Sequence, residues 1–216
     1  MSLVIALAGS REAVIGADRR VISFLGACPV LEEQLYSGRI RNDEDLKARA
    51  GELRASLQVS DDREKIWRHG GVGGVDSDVL VGEVAEISPR LERRRRIYLA
   101  PGAYLIVEIR GGEAEITGRG NTGCTVFGNR FTQRLAGEAV ARAGGRVSED
   151  LIRAILTKAG EMTASVSREH MVLKSDTLRG AARPHGADNA NDAGAALLAA
   201  LQEDCRKSGW RLCGQQ

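Results

Sequence analysis

Ser2 and Asp18 are the residues near the start of the chain whose types and spacing carry a chemistry. Ser2 follows the initiator Met, which aminopeptidases remove readily when the next residue is small. Ser2 is then expected to become the free N-terminus, with a hydroxyl and an α-amine on one residue. An α-amine titrates near pH ~8, so at neutral pH it can take the proton of a hydroxyl nucleophile. Asp18 follows 16 positions on and heads the triplet Asp18-Arg19-Arg20. A carboxylate and two guanidinium groups at the end of a buried strand require partners, because isolated buried charge is very costly.

The elements that must position these residues begin with a hairpin. Leu3–Ala8 is an unbroken apolar run, Gly9-Ser10 a turn signal, and Ala13–Ala17 a return strand. Neither run alternates strictly, which predicts strands buried on both faces. Without the charged triplet, the segment reads rather as a hairpin that happens to begin a chain, and the triplet changes the balance. Residues 30–60 read as helical: Leu31–Leu35, then Asp43–Leu57 with Leu46, Ala50, Leu53 and Leu57 at helical spacing. Asn42 or Asp43 would cap the second helix. Candidate strands follow at 65–67, 79–84, 95–99 and 104–109, the last turned by Gly111-Gly112 into 113–117. Gly70–Gly74 is a Gly-rich loop, and Cys124–Phe127 a short strand. Asn129–Ala143 reads as a helix ended by Gly144-Gly145, and a second helix runs from Ser148 to about Met162. Ser165–Leu173 contains the last core strand. Strands, then two helices, then a strand predict an α+β domain with helices on a mainly antiparallel sheet sandwich.

After Leu178 the composition changes. Residues 179–192, rich in Gly, Ala, Asn and Asp, read as a flexible linker. Ala193–Lys207 reads as an Ala/Leu-rich helix whose apolar face, with Trp210, docks either on this domain or on a partner. The expected division is a domain at 2–178 and a tail at 179–216.

At 216 residues and 43% hydrophobic content, the chain can bury one substantial core. A net charge of +2 offers no bulk electrostatic case for nucleic acid or for a membrane surface. Cys28, Cys124, Cys205 and Cys213 show neither disulfide-scaffold density nor a CxxC pair, and His69, His170 and His185 are scattered. No metal or other cofactor is therefore expected. No apolar stretch approaches ~18 residues and no basic segment precedes an apolar one, so the expectation is a cytoplasmic protein without membrane insertion. Arg93–Arg96 reads as a solvated strand edge that discourages edge pairing, or as a surface that holds an acidic substrate residue. Nucleic-acid binding is a third reading, disfavoured by the near-neutral charge.

The hairpin carrying Ser2 and Asp18 resembles the start of a proteasome β-type subunit, one of the N-terminal-nucleophile hydrolases. That resemblance implies that Asp18 lies beside the nucleophile and that a lysine on a later strand lowers its pKa. Lys65, in Arg63-Glu-Lys-Ile-Trp67, is similar to that lysine, displaced by the helical stretch before it. Taken alone, Lys65 reads equally as a solvated strand-edge residue. Gly82, in Val79-Leu-Val-Gly82-Glu-Val, resembles the glycine whose N–H faces the developing oxyanion; the alternative is a bulge or a close-packing site. Asn129, after Val126-Phe-Gly128, stands where the family places a polar residue near the terminal amine, and serves equally as a helix cap. Ser165 and Ser167, in Thr163-Ala-Ser-Val-Ser167, resemble the last hydroxyl-bearing stretch of the family, without its acidic residue. Structural hydrogen bonding is the other reading of each serine. The long helix pair that follows the oxyanion glycine in proteasome subunits is expected to be missing, since Glu83–Ile87 continues as strand. That argues against a ring-forming protease.

A closer resemblance lies in Leu35-Tyr-Ser-Gly38, Leu80-Val-Gly-Glu-Val84, Phe127-Gly-Asn129 and Thr163–Ser167 taken together. These segments resemble the archaeal connectase family, proteasome-like N-terminal-nucleophile homologues of methanogens, over roughly residues 2–175. The resemblance implies an N-terminal-nucleophile (proteasome-like) sandwich with a reduced helical layer and a helical insertion at about 30–60. It also implies sequence-specific protein ligation, or transpeptidation. The terminal hydroxyl attacks an Asp-Pro bond within a Lys-Asp-Pro-Gly-Ala motif, as found in the A subunit of the methanogen methyltransferase, which is the protein substrate the family suggests. The acyl group stays on the enzyme until an incoming Pro-Gly-Ala terminus takes it. This chain departs in carrying Ser2 where the best-known members have threonine, and in its tail. Two rival readings remain: an N-terminal-nucleophile peptidase or amidohydrolase on the same fold, and a non-catalytic binding protein, which retention of Met1 would favour.

Overall fold

The computed structural model describes residues 3–70, 79–88, 91–176 and 189–214. The chain runs β1 (Val4–Ala8), β2 (Glu12–Asp18), β3 (Val21–Phe24), α1 (Pro29–Tyr36), α2 (Asp43–Glu52), β4 (Leu57–Ser60), β5 (Ile66–Arg68) and β6 (Leu80–Ser88). It continues through β7 (Leu91–Ala100), β8 (Ala103–Arg110), β9 (Glu113–Gly120), β10 (Gly123–Phe127), α3 (Arg130–Arg142), α4 (Glu149–Met162), β11 (His170–Asp176), α5 (Asn189–Ser208) and β12 (Arg211–Leu212). The architecture is α+β, as expected. Two compact units share the chain: the first holds Met1–Ile5, Gly16–Lys65 and Val126–Val172, the second Ala6–Ile15, Ile66–Thr125 and Leu173–Gln216. Strands β1, β2, β10 and β11 hydrogen-bond in the order β10-β1-β2-β11.

In the first unit, β3 and β4 form an antiparallel ribbon from Val21 opposite Ser60 to Phe24 opposite Leu57. Leu31 and Leu35 of α1, Ile40, and Leu46 and Ala50 of α2 bury a common core with Ala164. Asn42 caps α2, its Oδ1 accepting the Asp45 N–H at 2.8 Å. The helical insertion is therefore present, with one correction: α2 ends at Glu52, and Leu57 opens β4. Arg54, at φ 52°, breaks the helix in the left-handed region. Leu53 and Leu57 keep their apolar contact with the same core from a turn and a strand, which mimics helical spacing in the sequence.

Helices α3 and α4 pack together in this unit. Ser148 Oγ caps α4 through the Leu151 N–H at 3.2 Å. Gly144 and Gly145, at φ 63° and 77°, end α3 as expected. A Cβ at Gly16 would fall 2.5 Å from Ile152 Cγ2 and 2.9 Å from Leu156 Cδ1. The glycine thus lets α4 close onto β2, the strand that ends in Asp18.

The second unit is built on a six-stranded sheet ordered β12-β9-β8-β7-β6-β5, antiparallel except for the β12–β9 pair. Ala103, Leu105, Val107 and Ile109 alternate inward along β8, and α5 adds Leu197, Ala200, Leu201 and Cys205 to that cluster. Side chains between Ala193 and Leu212, in the part of the sequence set apart as a tail, thus pack into the core of this unit. Of the linker expected at 179–192, residues 179–188 lie outside the described residues and the remainder is helical, since α5 begins at Asn189; of the Gly-rich loop Gly70–Gly74, residues 71–74 lie outside them. Beyond Gly82, β6 continues to Ser88 and β7 follows, so the helix pair expected to be missing there is replaced by strand.

Arg93–Arg96 requires a second correction. Strand β7 is interior, paired with β6 and β8 on its two sides, so the run is not a solvated edge. Glu83 receives Arg94 at 3.1 Å and Arg96 at 2.6 Å, and Glu108 receives Arg93 at 2.5 Å. These three arginines spend their charge on carboxylates of the neighbouring strands. Arg96 also stacks between the rings of Trp67 and Trp210, 5.3 and 4.6 Å from their centroids. Its Nη1 donates to Asp204 Oδ2 at 2.7 Å, where the Tyr98 hydroxyl also donates at 2.8 Å. His69 Nε2 lies 3.2 Å from Asp204 Oδ1. Asp204→Ala would strand these buried partners, and a buried pair broken on one side costs about 3–5 kcal/mol. Urea denaturation of the variant should show a loss of that order; a loss under about 1 kcal/mol would mean that the network is solvated.

Candidate active site

Ser2 lies outside the described residues; Leu3 is the first of them and is fully buried. The N–H of Leu3, which belongs to the peptide bond joining it to Ser2, donates to Asp18 Oδ1 at 2.7 Å. The backbone N–H of Asp18 returns a bond to the Leu3 carbonyl at 3.2 Å. Lys65 Nζ donates to the same Oδ1 at 2.8 Å and to the Arg20 carbonyl at 2.7 Å. The other oxygen, Oδ2, accepts the N–H of Arg20 at 2.8 Å and that of Ser167 at 3.4 Å. Four donors thus meet one carboxylate.

Asp18 is 1% exposed and Lys65 4%, which excludes the solvated reading of the lysine. Burial pushes the Lys65 ammonium below its ordinary pKa, while Asp18, and to a lesser degree Asp61, favour the charged form. An ammonium has three N–H donors, and among the described residues two of them are engaged as above. This buried ion pair is held against the chain just after Ser2.

Ser167 acts on it through its backbone. Its Oγ accepts the Arg19 N–H at 2.9 Å and donates to the Glu169 carbonyl at 2.5 Å, so the hydroxyl proton is committed to the loop. A Cβ at Gly160 would come 2.7 Å from the Ser167 carbonyl oxygen. Glycine at 160 therefore allows α4 to seat this loop.

Asn129 is the helix cap of one of its two readings, and its amide also reaches a hydroxyl of the 163–167 loop. Its Oδ1 caps α3 by accepting the Thr132 N–H at 2.9 Å, and its Nδ2 donates to Ser165 Oγ at 3.0 Å. Ser165 Oγ lies 3.0 Å from Thr163 Oγ1, which also accepts the Ser165 N–H at 3.2 Å. Thr163, with no exposed surface, is a residue the sequence reading did not single out. The alternation of hydroxyls at 163, 165 and 167 is the signal that could have found it.

Arg20, marked in the sequence only as a charge in need of partners, is fixed by several of them. Its Nε and Nη2 grip Asp61 at 2.8 Å each, its Nη1 and Nη2 grip Asp43 at 2.5 and 3.1 Å, and its Nη1 donates to the Ala164 carbonyl at 2.8 Å. The hydrogen bond from Arg20 in turn holds the Asp61 carboxyl below its ordinary pKa. Asp18 and Arg20 of the charged triplet thus have charged partners, whereas the buried Nε of Arg19 has no hydrogen-bond partner among the described residues.

Of the expected site residues, the structure joins Asp18, Lys65 and Ser167 in one cluster, and joins Asn129, the cap of α3, with Ser165 of the Ser167 loop in another. Gly82 lies in the second unit, buried on β6 opposite Ile66 and Ile97. Among the described residues, no group of three or more His, Cys, Asp or Glu side chains could hold a metal ion. The four cysteines are free thiols. No described helix is long and apolar enough to cross a membrane.

Comparison with curated proteins finds no match. Among solved structures, the chain is similar to eukaryotic HslV from Trypanosoma brucei (13% identity, TM-score 0.44), with 81% of this chain and 99% of that chain covered. It is similar also to Thiobacillus denitrificans BPH in complex with epoxomicin (11% identity, TM-score 0.44), with coverage of 81% and 98%. Residues 1–189 match the family described as "Connectase MJ0548-like, N-terminal domain", and the chain belongs to that family.

Proposed function

We propose that this protein is a connectase-type protein ligase whose nucleophile is Ser2, freed of Met1, acting on the Asp-Pro bond of a Lys-Asp-Pro-Gly-Ala motif. The observation that carries the reading is Asp18 Oδ1, which binds the Leu3 N–H and Lys65 Nζ together. One carboxylate oxygen thus ties the peptide leading to Ser2 to a buried ammonium. Membership of the connectase family supports the same reading.

In the proposed cycle, Ser2 Oγ adds to the carbonyl carbon of the substrate Asp as the hydroxyl proton passes to the Ser2 α-amine. The remaining N–H of Lys65 favours the alkoxide-like charge on Oγ. Collapse breaks the bond to the proline nitrogen, which receives the proton, and leaves a Ser2 ester. The adjacent amine can take the acyl group through a five-membered ring, storing it as an amide; proximity makes this shift effectively intramolecular. The reverse shift restores the ester for attack by the proline amine of an incoming Pro-Gly-Ala terminus. Ser165, oriented by Asn129 and Thr163, is the hydroxyl we assign to the α-amine, and Ser167 holds Asp18. The A subunit of the methanogen methyltransferase is the substrate that the family resemblance suggests.

Intact-mass spectrometry tests the proposal. The purified protein should lack Met1 and, with a Lys-Asp-Pro-Gly-Ala peptide, gain the donor fragment ending in Asp less one water. A second peptide beginning Pro-Gly-Ala should then release ligated product. Retention of Met1, or no adduct, overturns the reading, and donor cleaved without ligated product would identify a peptidase.

A further inference from the structure

We propose that Asp43 and Asp61, the carboxylates that the helical insertion and the segment after β4 present to Arg20, are positioning residues for the Asp18–Lys65 pair and act on it through Arg20. The catalytic meaning of that pair rests on the function proposed above; the geometry does not.

Arg20 touches both members of the pair with its main chain, giving its N–H to Asp18 Oδ2 and its carbonyl to Lys65 Nζ. Any shift of this residue moves both. Its side chain is fixed by two forked pairs, to Asp43 at the start of α2 and to Asp61 just beyond β4. A fifth bond goes to the Ala164 carbonyl, in the loop of Ser165 and Ser167, and the Ala164 N–H donates to Ile40 between α1 and α2 at 3.1 Å. Forked pairs fix the plane of a guanidinium as well as neutralise it. A need for charge balance alone would be met by one carboxylate; two fix residue 20 in place.

Side-chain exposure separates this role from core packing. Asp43 is 48% exposed and Asp61 38%, while the Arg20 side chain is 8% exposed. Replacing either aspartate with asparagine keeps the shape and removes one forked pair. The charges that act on Lys65 are Asp18 and Asp61, which favour its ammonium form, and Arg63, which opposes it. Losing the charge of Asp61 therefore shifts Lys65 towards its neutral form.

The test is a pH titration of Lys65 by lysine 15Nζ NMR, with the Leu3 and Ser167 amides as reporters of the bonds to Asp18. It uses the wild type, Asp43→Asn, Asp61→Asn and Asp61→Glu, with Glu44→Gln, exposed on the same helix turn, as the charge control; circular dichroism checks the fold. Both asparagine variants should move the two amides. Asp61→Asn should also lower the Lys65 midpoint by about 0.5 pH unit or more, and Asp61→Glu should restore it in part. At saturating Lys-Asp-Pro-Gly-Ala peptide, adduct formation should slow about 10-fold in both, the scale of a misplaced catalytic group, with the half-saturating concentration unchanged. Amides unmoved in either variant, or moved as far by Glu44→Gln, overturn the proposal. A wild type that forms no adduct defeats the ligase reading alone, because the titration still decides this one.

Discussion

Ser2→Ala is expected to keep the fold and to abolish covalent adduct formation with the motif peptide. The substitution removes one oxygen, and the bond between the Leu3 N–H and Asp18 Oδ1 does not involve the Ser2 side chain. The hydrophobic core at Leu3, Val4 and Ile5 is likewise untouched. What disappears is the only atom of residue 2 that can hold an ester, and removal of a nucleophile costs on the order of 10⁴-fold or more in other acyl-transfer enzymes. Intact mass after incubation with the peptide is the measurement, and unchanged circular dichroism is the control. A retained adduct would assign the nucleophile elsewhere.

The second large effect is expected at Lys65. Lys65→Ala should cut the rate of adduct formation by at least ~100-fold, the usual scale for lost electrostatic or acid–base assistance. Removing the ammonium also leaves Asp18 as an uncompensated buried charge, which disfavours an alkoxide-like transition state nearby. Near-normal turnover would show that Lys65 is a structural partner of Asp18 only. A stability measurement gives an independent check on its environment. Burial holds the folded pKa of Lys65 below its ordinary value of 10.5. Between those two pH values the unfolded chain binds more protons, so stability contributed by this group rises with pH. The cost of the buried ammonium is fully present below the folded pKa and is relieved as pH climbs towards 10.5. Wild type should therefore gain stability across that alkaline window relative to Lys65→Ala. An identical pH dependence in the two proteins would contradict the buried, depressed lysine.

The elements that carry this site were largely legible in the sequence. Leu3–Ala8 and Ala13–Ala17 became β1 and β2, Asn42, Asn129 and Ser148 became caps, and Gly144-Gly145 became a helix stop. Each rests on local physics: apolar runs bury, short polar side chains cap, and glycine takes positive φ. The failures were also physical. Leu53 and Leu57 fell at helical spacing although they belong to a turn and a strand, because either geometry can present them to the same core. Four consecutive arginines looked like a solvated edge, because the counter-charges of Arg93, Arg94 and Arg96 lie on the neighbouring strands and on α5.

By itself, then, the sequence determined where strands and helices form, that Asp18, Arg19 and Arg20 needed partners, and that Ser2 could be a nucleophile with its own base. Only the tertiary structure decided which charges meet. Lys65 reaches Asp18 across 47 positions, and Arg20 reaches Asp43 across 23 and Asp61 across 41. No local periodicity spans such separations. The pairing follows from the path of the chain, because buried charges are stable only where the packed backbone delivers an opposite charge to hydrogen-bonding distance.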